Sequence, residues 1–111
     1  LRQILINLLD NAVKYGPEGQ EVRVRVALHD GSLQLEVEDE GPGVPERERE
    51  RIWERFYRIE DHRRSAVSGT GIGLSVVREL AALHHGEAWA EAGARGGARF
   101  VVRLPALTAT A

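Results

Sequence analysis

The stretch EVRVRVALHDGSLQLEVED, residues 21–39, alternates apolar and polar residues on both sides of a short turn. The central Asp30-Gly31 pair is typical of a two-residue β-hairpin turn. The alternation places an apolar set on one face of each strand, namely Val22, Val24, Val26 and Leu28, then Leu33, Leu35 and Val37. We therefore predict a sheet with one face covered by protein and the other face in water.

Helices are predicted on both sides of this hairpin. Before it, ILINLLDNAVKYG (residues 4–16) has apolar residues at helical spacing, and Gly16-Pro17 ends that helix. After it we predict a short helix over 46–54 and a longer one over 71–85 that buries Ile72, Val76, Leu80 and Leu83. EAWAEAG and ARFVVRLP flank ARGG and predict a second hairpin. This order predicts an α+β fold, a two-layer α/β sandwich with about three helices on one face of a mixed, mainly antiparallel sheet.

The composition is that of one small globular domain, with 42% hydrophobic and 29% charged residues among 111. The net charge of −2 provides no excess of positive charge for binding nucleic acid or for direct contact with an anionic membrane. The chain has no cysteine, which excludes disulfides and is compatible with the cytoplasm. Because the sequence starts inside a helix without methionine, we expect a piece of a larger protein that could be membrane-anchored. We expect the domain to cover 1–105 and a flexible tail to cover 106–111.

The first helix carries a polar stripe that its apolar face does not explain. Asn7, Asn11 and Lys14 lie at i, i+4 and i+7, although asparagine is unfavourable inside a helix. Amide oxygens suit Mg²⁺, which takes its other ligands from water and phosphate, and Lys14 could meet a phosphate as a point charge. Capping of neighbouring loops by the two amides explains the same pattern.

Two glycine-rich segments could bring backbone close to a ligand. In DEGPG, Asp39 follows a strand and could accept a hydrogen bond from an exocyclic amine such as that of adenine, with Gly41 and Gly43 beside it. In GTGIGLSVV, glycines at 69, 71 and 73 open a helix, whose N–H groups can face a phosphate. A tight turn and an ordinary glycine-rich loop are the structural alternatives. Residues 57–70 read as a mobile loop, with Tyr57 and Arg58 at its mouth.

Together these segments resemble the ATP-binding catalytic domain of sensor histidine kinases. That domain belongs to the GHKL superfamily of gyrase, heat-shock chaperone, mismatch-repair and kinase ATP-binding domains. NLLDNAVKY resembles its asparagine box, DEGPG its first glycine box, RIWERFYR its phenylalanine box and GTGIGLSVV its second glycine box. The four motifs occur in family order over nearly all of residues 1–105. The resemblance implies the Bergerat ATP-binding fold.

The resemblance implies a set of site residues. Asn11 would bind Mg²⁺ and, through it, the triphosphate, with Asn7 in support. The contacts to the phosphates and the catalytic roles would fall to Asn11, Lys14 and Arg58. Asp39 would accept the adenine amino group, with Gly41 and Gly43 shaping the base pocket. Tyr15 would lie against the nucleotide, and Tyr57 and Arg58 would line the pocket entrance. A lid over 57–70 and the phosphate-holding N–H groups after it would use Gly69, Thr70, Gly71, Ile72, Gly73 and Leu74.

The implied reaction transfers the γ-phosphoryl group of ATP to a histidine on a separate dimerisation and phosphoacceptor domain, with a response regulator downstream. The alternatives are a GHKL-type ATPase and a non-catalytic nucleotide-binding regulatory module. The ATPase relatives resemble E-x-x-x-N in the first helix, where the glutamate activates water. Here Asn7 stands at that position, and an amide cannot serve as a general base.

Two departures from the family pattern bear on the structure. Relatives often read Gly-Ser/Thr-Thr-Phe in the last strand, whereas this chain reads Gly97-Ala98-Arg99-Phe100, so a hydroxyl supporting the adenine-binding carboxylate is missing or replaced by water. The segment that normally precedes the first helix is also not in this sequence, and we expect one strand of the sheet to be absent.

Overall fold

A computed structural model describes residues 1–54 and 73–105 of the chain. Two α-helices, α1 (Arg2–Tyr15) and α2 (Gly73–Leu83), accompany four strands, β1 (Arg23–His29), β2 (Ser32–Glu38), β3 (Glu87–Ala92) and β4 (Ala98–Pro105). Every strand pairing in the described ranges is antiparallel, and the sheet order is β1-β2-β4-β3. The α+β sandwich predicted from the sequence is therefore confirmed. Neither described helix is long and apolar enough to cross a bilayer.

The first hairpin forms in the predicted register. Val24 pairs with Val37 and Val26 with Leu35, which places the two apolar sets side by side on one face. Asp30 and Gly31 both have positive φ, 49° and 79°, as a type I′ turn requires. The second hairpin joins β3 to β4, as predicted.

The core lies between the helices and one sheet face. It is built from buried residues of all layers: Ile4, Leu8, Ala12, Leu35, Val37, Ile52, Trp53, Val77, Ala81, Ala88, Ala90, Ala98, Phe100, Val102 and Leu104. The edge of the Trp53 ring packs against Phe100 at a centroid distance of 6.0 Å. Helix α1 contributes Ile4, Leu8 and Ala12 to this core, so it lies over the sheet with its polar stripe away from the core.

The layer of protein that was predicted to cover one face of the sheet does not extend over β1. All seven β1 residues are exposed, including Val26 at 58% and Leu28 at 77%. The alternation was assigned correctly, but burial also requires an element above the strand. The described helices pack over the inner part of the sheet, so the β1 end of its apolar face remains in contact with solvent.

The prediction of a short α-helix over 46–54 is wrong. The structure has two 3₁₀ turns there, Glu46–Glu48 and Arg51–Trp53, and Glu54 is extended. A segment this short makes too few hydrogen bonds to offset helix nucleation, and burial of Ile52 and Trp53 needs only a turn.

The buried side of α2 also differs from the prediction. Ser75, Val77 and Ala81 are buried, whereas Leu83 is 74% exposed. Small side chains at 75 and 81 allow close packing, which a pattern based on large apolar residues does not detect. The predicted start at 71 lies outside the described residues.

Candidate nucleotide-binding site

Helix α1 presents its apolar and polar residues as two separate sides. Ile4, Leu8 and Ala12 are fully buried, while Asn7 and Asn11 are half-buried. Within the described ranges no hydrogen bond or ion pair occupies the Asn11 amide. Its oxygen can therefore bind a ligand without breaking a contact seen in these ranges.

The Asn7 amide links the starts of the two helices. Its Nδ2 donates to the carbonyl oxygen of Gly73 at 3.3 Å, and its Oδ1 accepts from Gln3 Nε2 at 2.8 Å. Both ends of the amide are used. The first residue of α2 is thereby placed beside the same helix that carries Asn11.

Lys14 lies at the end of the polar stripe and pairs with Asp10. The Nζ–Oδ2 distance is 3.1 Å across one helical turn, and both side chains are partly exposed. Such i, i+4 pairs contribute only about 0.3–0.5 kcal/mol, so Lys14 can exchange Asp10 for another anion at little cost.

Asp39 is a buried carboxylate directly after β2, 5% exposed. Its backbone N–H donates to the Ala98 carbonyl at 2.9 Å, which continues the sheet beyond β2. Its Oδ1 accepts from the N–H of Gly41 at 2.9 Å and from the N–H of Ala98 at 3.0 Å. Oδ2 accepts no hydrogen bond from the residues that the structure describes. One oxygen is held rigidly, and the other can receive a donor from a ligand.

The turn after Asp39 touches the end of α1. A Cβ added at Gly41 would lie 3.0 Å from the Tyr15 carbonyl oxygen, so a larger residue would push the turn or the helix end apart by a few tenths of an ångström. Gly43 has φ +77°, a conformation that other residues rarely adopt, and faces the Gly96 carbonyl. The structure thus brings Asp39 and Gly41 beside the Tyr15 backbone, and the roles of these residues toward a nucleotide stay predictions.

The last strand supports the Asp39 carboxylate through its backbone. The Ala98 N–H donates to the carboxylate directly, at the position where relatives were expected to carry serine or threonine. A Cβ at Gly97 would overlap the Asp39 carbonyl oxygen, so glycine at 97 permits the close approach of β4. The sequence analysis did not identify this support, because a backbone donor leaves no residue-type signal at position 98.

Charged side chains hold the loop that follows β3 beside the Asp39 turn. Arg95 pairs with Glu21 at 2.7 Å and with Glu40 at 2.9 Å. The hydrogen bond from Arg95 lowers the pKa of the Glu21 carboxyl. Burial alone would raise the pKa of Glu38, but the Ala94 N–H and the Arg99 guanidinium outweigh it and the pKa falls.

The family model described as "Histidine kinase-, DNA gyrase B-, and HSP90-like ATPase" matches residues 1–108. The chain belongs to this family. Over 107 residues it is 45% identical to the adaptive-response sensory kinase SasA of Nostoc sp., covering 95% of this chain and 26% of that kinase. The chain thus spans about a quarter of the length of this curated relative.

Two solved structures are similar to this ATPase-family domain. The mycobacterial sensor histidine kinase MprB matches with a TM-score of 0.79 and 33% identity, over 93% of this chain and 68% of that one. Full-length ShkA in complex with AMPPNP matches with a TM-score of 0.79 and 35% identity, over 97% of this chain and 22% of that one. The resemblance inferred from the motifs is confirmed.

Several predicted residues of the family site lie outside the described residues: Tyr57, Arg58, Gly69, Thr70, Gly71 and Ile72. Gly73 begins α2, and a Cβ there would meet no atom of the described chain within 4 Å. Its packing does not require glycine, in contrast to Gly41. Leu74 is half-buried and packs against the core.

In the ranges 1–54 and 73–105 no three His, Cys, Asp or Glu side chains form a metal-holding group. The half-buried Asn11 offers an amide oxygen, a ligand type that suits Mg²⁺ when phosphate and water supply its other ligands.

Proposed function

We propose that this chain is the ATP- and Mg²⁺-binding catalytic domain of a two-component sensor histidine kinase. It would transfer the γ-phosphoryl group of ATP to a histidine on a separate dimerisation and phosphoacceptor domain. The observation that carries the proposal is the contact between the Asp39 turn and the end of α1. That contact joins the turn that holds a half-satisfied buried carboxylate to the end of the helix that carries Asn11 and Lys14.

Each residue has a distinct role in this proposal. Asp39 Oδ2 accepts the adenine amine, and Gly41 and Gly43 leave room for the flat base beside Tyr15. Asn11 holds the metal, which when bound neutralises charge on the phosphates, and Lys14 leaves Asp10 to contact phosphate. Phosphoryl transfer depends on positioning and charge stabilisation, which these residues supply. The nucleophile is the acceptor histidine of the separate domain, whose ring nitrogen bonds to the γ-phosphorus while ADP leaves.

The segment outside the described residues completes the proposal. Tyr57 lines the pocket entrance and Arg58 contacts the γ-phosphate. Residues 57–70 close as a lid with Gly69, Gly71 and Gly73 as its hinges, and the N–H groups of Gly71 to Leu74 hold phosphate. We further propose domain bounds of 1–105 with a tail at 106–111. We also propose a cytoplasmic location with no direct membrane contact, no nucleic-acid partner and a response regulator downstream.

The histidine kinase is favoured over a GHKL-type ATPase by the contacts of Asn7. Its amide donates to Gly73 and accepts from Gln3, so it acts as a structural bridge. A water-activating base would need a free carboxylate there. Steady phosphate release without phosphohistidine, measured with an acceptor-helix domain added in trans, would support the ATPase instead.

The binding site is tested by calorimetric titration of ATP with and without Mg²⁺. We expect Asp39→Asn to weaken ATP binding by about 10- to 100-fold, because an amide N–H₂ in place of Oδ2 opposes the adenine amine. Asn11→Ala should remove the Mg²⁺ dependence. Asp30→Asn is the matched control, because Asp30 lies in the exposed β1–β2 turn, where asparagine is tolerated. ATP binding by both site variants at the parental affinity would refute the site.

A further inference from the structure

Gln20, in the segment between α1 and β1, joins two parts of the proposed site through one side-chain amide. Its Nε2 donates to the Ala12 carbonyl near the end of α1 at 2.8 Å. Its Oε1 accepts from the backbone N–H of Glu40 at 3.0 Å. Glu40 lies between Asp39 and Gly41, so Gln20 bonds the centre of the turn that would recognise the base.

The surroundings of this amide are fitted to it. A Cβ at Gly16 would overlap the Gln20 amide, so the glycine that ends α1 also makes room for this side chain. On the other side, the Gly41 Cα hydrogens face the Tyr15 carbonyl. The turn therefore meets the helix end at two points, a direct backbone approach and the Gln20 bridge.

We propose that Gln20 is a positioning residue that fixes the Asp39–Gly41 turn relative to α1. It thereby sets the distance between the adenine subsite and the metal–phosphate subsite. This inference rests on the proposed function. ATP spans both subsites, so a displacement of one relative to the other costs affinity even when each subsite is intact.

The chemistry of the bridge explains why glutamine is suited to this position. One end must donate to a carbonyl and the other must accept from an N–H, which a side-chain amide does and a carboxylate or an ammonium does not. Arg95 also reaches Glu40, but through an ion pair between partly exposed side chains at 2.9 Å. Salt screens such a pair, whereas the half-buried Gln20 bridge does not depend on charge.

The test compares ligands that span the site with ligands that fill half of it. Parent, Gln20→Ala and Gln20→Glu are titrated by NMR with ATP and Mg²⁺, with adenosine, and with inorganic tripolyphosphate and Mg²⁺. We expect Gln20→Ala to weaken ATP binding by about 10-fold and the two half-ligands by less than about 2-fold. Gln20→Glu keeps the acceptor for Glu40 but turns a carboxylate oxygen toward the Ala12 carbonyl oxygen, so its loss of ATP affinity should be at least as large as that of Gln20→Ala. The matched control is Gln34→Ala, on the outer sheet face, where Gln34 contacts Arg103.

Each outcome bears on the inference. Unchanged ATP binding by Gln20→Ala overturns it and leaves the proposed function standing. Equal losses for all three ligands also overturn it, since they indicate direct contact or general loosening rather than spacing. A parent that binds no ATP refutes the proposed function, and the inference falls with it. Faster hydrogen exchange at the Glu40 amide in Gln20→Ala is the expected structural signature, because that N–H loses its acceptor.

Discussion

Asn7 shows how the choice of one side-chain atom fixes a contact between helices. We expect Asn7→Asp, which keeps the acceptor for Gln3 but removes the donor to Gly73, to lower the free energy of unfolding by about 0.5–1 kcal/mol. Urea unfolding in about 1 M salt, where charges are screened within about 3 Å, measures the hydrogen bond rather than the added charge. Gln3→Ala is the control, because it leaves the bond to Gly73 in place. Equal stability of parent and Asn7→Asp would show that the bond contributes nothing.

At this scale the sequence predicted which residues lie near each other, but not the bonds that hold them. The Asp39–Gly41 turn and Tyr15, all expected around the nucleotide, lie in contact through backbone atoms. The donor from Ala98 and the bridge by Gln20 were missed. Both depend on which strand and which segment pass beside the turn, and a residue's type does not report its neighbours across the fold. Gly97 was the available signal, since glycine at a strand can mark a site where another backbone approaches closely.

Among the elements, α2 ends with an unusual residue in a common motif. The His85 N–H donates to Ala82 and the Gly86 N–H to Ala81, which is the Schellman pattern, but the left-handed position is occupied by His85 at φ +63°. We expect His85→Gly to raise the free energy of unfolding by about 0.5–1 kcal/mol, because glycine adopts positive φ without steric cost. Urea unfolding measures this gain. His84→Gly, one residue earlier and without positive φ, should be destabilising, and a loss in both variants would contradict the explanation.

The elements also show where periodicity stops being informative. It predicted α1, both hairpins and their facing residues, because these segments are long enough for the pattern to repeat. It mistook two 3₁₀ turns for a helix over 46–54, where the pattern covers little more than two turns. It also expected β1 to be covered, although the strand lies at the sheet edge and its valines are exposed. Whether a strand's apolar face is buried depends on the element packed above it, so alternation within the strand cannot predict that burial.

For the whole molecule, Glu38 and Asp39 hold the β3–β4 loop and the start of β4 from adjacent positions. Asp39 accepts from Ala98, while Glu38 accepts from the Ala94 N–H at 2.8 Å and from Arg99 at 3.1 Å. Because the folded state lowers the pKa of Glu38, its ionised form stabilises the fold above the ordinary glutamate pKa of about 4.3. That contribution is lost as pH falls from there through the lower folded-state pKa.

We therefore expect the fold to lose stability below about pH 4.3, with Glu38 as a main cause. At neutral pH Glu38→Gln should lower the free energy of unfolding by about 1–3 kcal/mol, since it weakens charge-assisted hydrogen bonds of a largely buried carboxylate. The difference in the free energy of unfolding between parent and variant should then become smaller as acid protonates Glu38 in the parent. Urea unfolding at several pH values from 7 to 3 measures this difference. Glu50→Gln is the control, because Glu50 also has a lowered pKa beside Arg78 but is largely exposed. Its substitution should therefore change the free energy of unfolding only slightly at every pH. If the difference in the free energy of unfolding between parent and Glu38→Gln stays the same down to pH 3, ionisation of Glu38 does not hold the β3–β4 loop beside Asp39.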